Sequence, residues 1–300
     1  MVRKKNIALV LSSGGARGLA HIGAIEELTS QGFVIRSVSG SSIGALIGGL
    51  YAMGNLDVYT QWVKTLDKQA VWGLMDFSLT SKGLLKGERV FDNMKTFIPD
   101  INIEDMGIPF TALASDIIRK KEVPFTSGSF YNAIRASIAI PTLFTPMEYG
   151  DSFLVDGGVL NPLPFEYVQR KPGDLLVGVN LNSFVEPVEE KIIQPLKKNN
   201  TRYQKITSDF SQLFDIFSRL NQSKNPRSLG YFSLIRSATS AMVSQIAALS
   251  IEKHKPDILI EIPKDAASTF DFYKAEELIA FGREKTRQAI EKQFNSLIVR

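Results

Sequence analysis

The stretch Val34–Gly49, VIRSVSGSSIGALIGG, decides the fold of this chain. It begins in an apolar, partly β-branched run, continues into the pentapeptide Gly-Ser-Ser-Ile-Gly at 40–44, and ends in a small-residue pattern typical of a helix. A G-x-S-x-G sequence between a predicted strand and a predicted helix is the pattern of a nucleophile elbow, with Ser42 at its apex. A serine on so sharp a turn has a strained backbone, and Gly40 and Gly44 lack the Cβ atoms that would keep strand and helix apart. The stretch therefore predicts an α/β fold that presents a nucleophilic serine.

A second glycine-rich segment lies upstream of this stretch. Asn6–Leu11 is a short continuous apolar run, typical of a buried parallel strand, and a helical pattern follows from Leu19 to Ser30. The loop between them contains Gly14, Gly15, Ala16, Arg17 and Gly18. Its backbone N–H groups can approach a substrate oxygen and Arg17 would add positive charge, so the loop is a candidate oxyanion hole. An ordinary strand-to-helix turn is the alternative, and the absence of a following Gly-Lys-Ser/Thr argues against a phosphate-binding loop.

Two residues are candidates for the base that an activated serine requires. Asp156 follows a short predicted strand, Phe153–Val155, and precedes two glycines, so we expect it at the same sheet edge as Ser42. A carboxylate is a weak base for a hydroxyl unless burial raises its pKa, so a direct Ser42–Asp156 pair would need a dry site. His254 is the other candidate, because the order Ser42, Asp156, His254 matches that of an α/β-hydrolase triad. It lies in a charged stretch typical of a solvated loop, and Asp156 could equally be a turn-forming aspartate.

Composition bounds the class of protein. The chain has 300 residues, 44% apolar and 22% charged, which is ordinary for a globular protein. Its net charge of +4 suits anionic surfaces or acidic substrates but, without a Lys/Arg block, does not indicate nucleic acid. The chain has no cysteine and two histidines, which argues against a metal centre, and no cofactor motif is present. No apolar run reaches the roughly 18 residues of a membrane span. We therefore expect a cytoplasmic protein and leave open a peripheral contact with a membrane.

Two segments have more than one interpretation. The segment Asp57–Phe97 is helical in tendency and rich in aromatic residues, so it could cap the site or pack in the core. The range Tyr203–Leu249 carries two amphipathic helical patterns, which predict either helices that cover the sheet or a lid that contacts lipid. A C-terminal helix is predicted over Tyr273–Leu297. The sequence makes no prediction about oligomeric state.

The motifs together resemble the patatin-like phospholipase family in its bacterial branch. The resemblance rests on Ala8–Gly23, Gly40–Ala45 and Asp156–Pro162, and on the stretch Ile134–Pro146. It implies a three-layer α/β/α sandwich around a mostly parallel central sheet, in a single domain over residues 1–300 with a helical insertion at about 186–250.

The resemblance also implies an activity and a site. The activity would be that of a serine acyl-ester hydrolase acting on lipids, with Ser42 as nucleophile, Asp156 as base and the Gly14–Gly18 loop as oxyanion hole. The family needs neither metal nor cofactor. Ser13 stands where the family usually has its first glycine, a position that tolerates serine if φ is negative. A Ser-His-Asp esterase and a weakly catalytic regulatory or membrane-binding protein are the alternatives.

Overall fold

A mixed β-sheet with helices on both faces forms the centre of the protein. The computed structural model describes residues 5–80, 83–183 and 231–298. Residues 5–183 and 243–298 of this set belong to one compact unit, and residues 231–242 belong to a second. The strands are β1 Lys5–Leu11, β2 Phe33–Ser41, β3 Phe77–Thr80, β4 Gly83–Leu85, β5 Phe110–Asp116, β6 Lys121–Phe125, β7 Met147–Tyr149, β8 Ser152–Asp156, β9 Leu175–Ser183 and β10 Ile258–Pro263. The α-helices of the described residues are α1 Leu19–Ser30, α2 Ile43–Ala52, α3 Leu56–Lys64, α4 Lys68–Gly73, α5 Glu88–Lys95, α6 Phe130–Ser137, α7 Tyr231–His254 and α8 Ala275–Ile298.

The strand order of the main sheet is β10-β9-β1-β2-β5-β8-β7, with β6 paired to β5. The five strands from β10 to β5 are parallel, and β6, β7 and β8 pair in antiparallel fashion. A separate antiparallel hairpin is formed by β3 and β4. The prediction of a mostly parallel central sheet is therefore confirmed.

Strand β1 shows why the sheet is covered on both faces. Side chains alternate between the faces of a strand, and Ile7, Leu9 and Leu11 belong to a large apolar core with residues of α1, α2 and α8. Ala8 and Val10 belong to a smaller core on the other face with Leu163 and Phe165, against which Ile251 of α7 packs. These five residues of β1 are all fully buried. The continuous apolar run in the sequence thus reflects a central strand of a three-layer fold.

Strands β2 and β8 meet end to end along one edge of β5. Strand β2 pairs with β5 up to Ser41, opposite Leu113, and β8 takes over at Asp156, opposite Ala114. Strand β6 pairs with these same β5 residues, so it occupies the other edge. Because β8 is antiparallel to β5, its carboxyl end points back towards the carboxyl end of β2. This arrangement places Asp156 beside the residue that follows β2.

Much of the predicted insertion lies outside the described residues. The first amphipathic pattern, from Tyr203 to Leu220, falls entirely there. The second pattern, from Phe232 to Leu249, is helical and forms most of α7. The prediction of one domain with an insertion at 186–250 remains a prediction. None of the helices in the described part of the chain is both long and apolar enough to cross a membrane.

Candidate active site

Ser42 lies at the apex of a strained turn between β2 and α2. Its φ is 55° and its ψ is −125°, a conformation that a residue with a Cβ rarely adopts. A Cβ on Gly40 would lie 2.4 Å from the carbonyl carbon of Gly44, and one on Gly44 would lie 2.3 Å from the carbonyl oxygen of Leu11. Neither glycine could carry a side chain without moving backbone atoms. The close approach of strand and helix predicted from the two glycines is confirmed.

A hydroxyl–carboxylate pair forms the centre of the site. Ser42 Oγ donates a hydrogen bond to Asp156 Oδ2 at 2.5 Å. The other carboxylate oxygen, Oδ1, accepts the backbone N–H of Gly158 at 2.7 Å. Ser42 is 4% exposed and Asp156 is 5% exposed. The two oxygens of Asp156 are therefore held by separate donors, one of them the serine hydroxyl.

Burial changes the acid strength of Asp156. Desolvation raises its pKa to about 6, although the hydrogen bonds from Ser42 and Gly158 favour the ionised form and oppose the rise. A carboxylate with a pKa near 6 accepts a proton more readily than an exposed aspartate and is still ionised at neutral pH. The dry environment that a direct Ser42–Asp156 pair needs is therefore present.

This pKa predicts the acid limb of the pH profile. If Asp156 serves as the base for Ser42, it must be ionised to accept the proton, and kcat/KM for an ester should then rise with pH and level off above a midpoint near 6. The measurement is ester hydrolysis between pH 4 and 9 with a substrate that does not titrate. A rate that stays constant down to pH 4 would show that Asp156 is not the base.

Neighbouring serines hold the elbow in position. The backbone N–H of Ser42 donates to Ser137 Oγ at 2.9 Å, and this hydroxyl donates to the carbonyl of Leu113 on β5 at 2.6 Å. Ser41 Oγ donates to the carbonyl of Asn161 at 2.6 Å, which ties the elbow to the segment after Asp156. Ser137 was not among the predicted site residues. It lies within Ile134–Pro146, the stretch that contributed to the family resemblance.

The glycine-rich loop lies against the elbow. A Cβ on Gly18 would be 2.1 Å from Cγ1 of Ile43, the residue after Ser42. Gly15 has a φ of 59°, in the left-handed region that favours glycine. Within the described part of the chain the N–H groups of Gly14 and Gly15 have no hydrogen-bond partner, whereas the N–H of Ala16 donates to Thr269. The free donors of the loop are thus at its start, and Ser13, whose φ is not positive, precedes them.

The Arg17 side chain points towards the backbone of two other segments. Its Nε donates to the carbonyl of Leu181 at 3.2 Å, and its Nη1 donates to the carbonyl of Ala267 at 3.1 Å. Burial lowers its pKa to about 10, partly offset by the charge of Asp265, so the group remains charged at neutral pH. The sequence suggested that Arg17 adds charge to the oxyanion hole. In the structure its guanidinium instead donates hydrogen bonds to main-chain carbonyls.

Neither histidine lies between Ser42 and Asp156. His254 Nε2 donates to Glu166 at 2.8 Å, and its ring stacks on Phe165 at a centroid distance of 5.5 Å. His21 is fully buried, and its Nε2 donates to the carbonyl of Ser12 at 2.9 Å. The residues that the structure describes contain no group of three His, Asp or Glu side chains suited to hold a metal ion.

An apolar cavity opens next to Ser42. The empty space at this opening is about 960 Å³ when the open solvent at its mouth is included. Ser42 and Gly15 contribute to its wall, as does the segment from α3 to α5 that was predicted as a cap or as aromatic packing. That segment provides Tyr59, Trp62, Val63, Leu66, Val71, Leu74, Met75, Leu85, Val90, Phe91 and Met94. The segment both packs in the core and lines this cavity.

The fold and the site define a class of protein. It comprises α/β proteins in which a serine at a strand-to-helix elbow is hydrogen-bonded to a carboxylate, next to a glycine-rich loop. A family model described as patatin-like phospholipase matches residues 9–168. An uncharacterized NTE family protein of Mycobacterium tuberculosis (strain H37Rv) is 30% identical over 95% of this chain and 91% of that protein. The chain belongs to the patatin-like phospholipase family, as its motifs predicted.

Two further proteins are similar to this chain. The lysophospholipase NTE1 of Debaryomyces hansenii is 26% identical over 94% of this chain, which corresponds to 18% of that longer protein. The crystal structure of VipD from Legionella pneumophila covers 97% of this chain and 67% of its own, with 13% identity and a TM-score of 0.48.

Proposed function

We propose that the protein is a serine acyl hydrolase that cleaves a long fatty acyl chain from a glycerolipid. The observation that carries the proposal is the 2.5 Å hydrogen bond from Ser42 Oγ to a buried Asp156, at the wall of an apolar cavity. Family membership and the lysophospholipase relative support lipid hydrolysis. The hydroxyl–carboxylate pair supports a dyad in place of a triad, because His254 is bonded to Glu166.

The first half of the reaction acylates the serine. Asp156 Oδ2 accepts the hydroxyl proton of Ser42 as Oγ attacks the ester carbonyl carbon. The carbonyl π electrons move onto oxygen, and the free N–H groups of Gly14 and Gly15 hydrogen-bond to this oxyanion. When the intermediate collapses, the ester C–O bond breaks and the protonated Asp156 returns its proton to the leaving alkoxide. The products are a free alcohol and an acyl-serine.

The second half releases the fatty acid. Asp156, again ionised, accepts a proton from a water molecule that attacks the acyl carbonyl, and the same N–H groups stabilise the second oxyanion. Collapse of this intermediate breaks the acyl–Oγ bond, and Ser42 recovers a proton from Asp156. The raised pKa of Asp156 suits this alternation, because the group must accept and return a proton in each half.

The cavity supplies the specificity for the acyl chain. Its wall is dominated by aliphatic and aromatic side chains, so it matches an alkyl chain better than a polar head group. Each methylene moved from water into such a wall contributes about 0.8 kcal/mol. We therefore expect the head group to stay outside the cavity while the acyl chain lies within it and the ester carbonyl reaches Ser42.

A chain-length series tests this function. Across p-nitrophenyl esters from acetate to palmitate, kcat/KM should rise by roughly tenfold for every two carbons until the cavity is filled. Ser42→Ala is the matched control, because it keeps the cavity and removes the nucleophile. Absence of hydrolysis at every chain length and on phospholipid vesicles, in correctly folded protein, would contradict the proposal and favour a binding protein.

A further inference from the structure

Residues 264–272, which we call the wall loop, connect β10 to the turn before α8 and form one side of the cavity. Thr269, Phe270 and Phe272 line the cavity together with Gly15 and Ser42. The carbonyl of Thr269 accepts the N–H of Ala16 at 2.9 Å. A Cβ on Gly15 would be 3.0 Å from Thr269 Cγ2. The wall loop is thus in direct contact with the glycine-rich loop.

Arg17 makes the second connection between these two loops. Its Nη1 donates to the carbonyl of Ala267, inside the wall loop, while its Nε donates to Leu181 near the end of β9. The two acceptors are 250 and 164 residues away in the sequence. Ala267 is 7% exposed and Leu181 is fully buried. Together with the N–H of Lys264, which donates to the carbonyl of Ser183 at 3.2 Å, this side chain connects the end of β9 to the wall loop.

The chemistry of Arg17 fits a structural clamp. Two donors of one planar guanidinium reach two carbonyls at a fixed spacing, which lysine cannot reproduce with a single ammonium. Within the described part of the chain Arg17 forms no ion pair with a carboxylate, and the charge of Asp265, also in the wall loop, acts on it from a greater distance. The two carbonyls are its hydrogen-bond partners. Without the guanidinium, both carbonyls would lose a charge-assisted hydrogen bond in a buried setting.

We infer that Arg17 is a positioning residue that holds the wall loop against the acyl chain and thereby sets chain-length preference. The inference rests on the proposed acyl hydrolysis. Arg17 acts through Ala267, and the residues that would touch the substrate are Phe270 and Phe272. This role differs from a contribution of its charge to the oxyanion, which would affect every ester equally, whatever its chain length.

The test compares acyl chain lengths in Arg17→Gln. The variant should raise KM for a long-chain p-nitrophenyl ester by about tenfold, as expected for roughly two methylene groups left in contact with water. KM for the acetyl ester, whose chain ends before the wall loop, should change much less. Phe270→Ala should reproduce this pattern, and adding it to Arg17→Gln should have little further effect. A fall in kcat of equal size at all chain lengths, with KM unchanged, would overturn the inference.

Hydrogen exchange supplies a readout that is independent of hydrolysis. The backbone amides of residues 267–272 should exchange faster in Arg17→Gln than in the wild type. Arg36→Gln, which removes an exposed arginine of β2 that donates to Asn6, is the matched control and should leave exchange in the wall loop unchanged. Unchanged exchange in Arg17→Gln would also overturn the inference.

Failure of the proposed function can be distinguished from failure of this inference. If the wild type hydrolyses no ester, the proposed function fails, while the exchange experiment still reports whether Arg17 clamps the loop. If Arg17→Gln does not fold, Arg17→Lys keeps the charge and replaces the two spaced guanidinium nitrogens with a single ammonium nitrogen. Arg17→Lys should show the same shift in preference towards short acyl chains, but a smaller one. If Arg17→Lys keeps the chain-length profile of the wild type, the inference is overturned.

Discussion

Replacement of Ser42 by alanine is expected to lower kcat for ester hydrolysis by about 10⁶-fold, the size of the loss when a serine protease is deprived of its nucleophile or its base. Asp156→Asn should produce a loss of similar order, because the amide cannot accept the Ser42 proton. The two losses should not add in the double variant, since the residues act as one unit. The measurement is single-turnover and steady-state hydrolysis by each variant, with folding checked by circular dichroism.

His254→Ala is the matched control for this experiment. It removes the one histidine that a triad could use, and the structure places that histidine on Glu166. Its kcat should therefore stay close to that of the wild type. A loss in His254→Ala as large as that in Ser42→Ala would replace the dyad with a triad.

Asp156→Asn should also stabilise the folded protein. The pKa of Asp156 is about 6 in the folded state, against 3.8 for an unperturbed aspartate, so ionisation is less favourable in the folded chain. The resulting cost to stability is fully present above pH 6 and is relieved as pH falls towards 3.8. Asparagine carries no charge and should raise the free energy of unfolding by roughly 3 kcal/mol at neutral pH. Thermal unfolding from pH 4 to 8 would show this as a difference that shrinks towards pH 4.

Gly157→Ala is expected to lower kcat by about 100-fold, because a displacement of about 1 Å at a reacting group has an effect of that size. A Cβ at this position would lie 2.1 Å from the carbonyl oxygen of Leu113 and 3.1 Å from Ser41 Oγ. Both contacts belong to the framework that brings β2 and β8 together, so the turn after Asp156 must move. That movement would break the alignment of Asp156 Oδ2 with Ser42 Oγ.

Gly73→Ala is the matched control for Gly157→Ala. A Cβ added to Gly73 would have no atom within 4 Å, and the φ of this residue is not in the left-handed region. Alanine at that position should leave kcat unchanged and slightly stabilise the fold, because it reduces the freedom of the unfolded chain. Comparable activity of Gly157→Ala and Gly73→Ala would contradict the argument that the turn after Asp156 positions the base.

The sequence predicted best those elements whose two ends are marked by glycines. Helix α1 runs from Leu19 to Ser30 as predicted, since a glycine-rich loop precedes it and Gly32 follows it. From its apolar run, strand β2 is predicted over Phe33–Val38, but it continues to Ser41, three residues further. The hydroxyls of Ser39 and Ser41 bond to main-chain carbonyls of Pro164 and Asn161, so polar residues are accommodated in a buried strand. A hydropathy pattern cannot anticipate such partners.

The direction of β8 could not be predicted from the sequence either. Asp156 was expected at the Ser42 edge because it ends a strand of a parallel sheet. It lies there because β8 is antiparallel and continues the edge of β5 where β2 ends. Asp156 does lie beside Ser42, but the argument that led us to expect it there assumed a parallel strand and does not apply to β8. The short strands β3, β4 and β7 were missed, since three or four residues carry little periodic signal.

Arg17 shows where local sequence reasoning stops. Its position in a glycine-rich loop suggested a role for its charge near the substrate. Its actual acceptors belong to segments more than 160 residues away, and only the tertiary fold brings them together. The Ser42–Asp156 pair is also distant in sequence, but each partner carries a local motif that made it a candidate.

The most direct test of the central claim is the mass of the folded protein after incubation with a fluorophosphonate, which reacts with activated serines. We expect the wild type to gain one phosphonyl group, located on Ser42 by peptide mapping, with a rate that rises with pH through about 6. Asp156→Asn should label far more slowly, and Ser42→Ala should gain no group. A folded wild type that remains unlabelled, or that labels at another residue, would contradict the account.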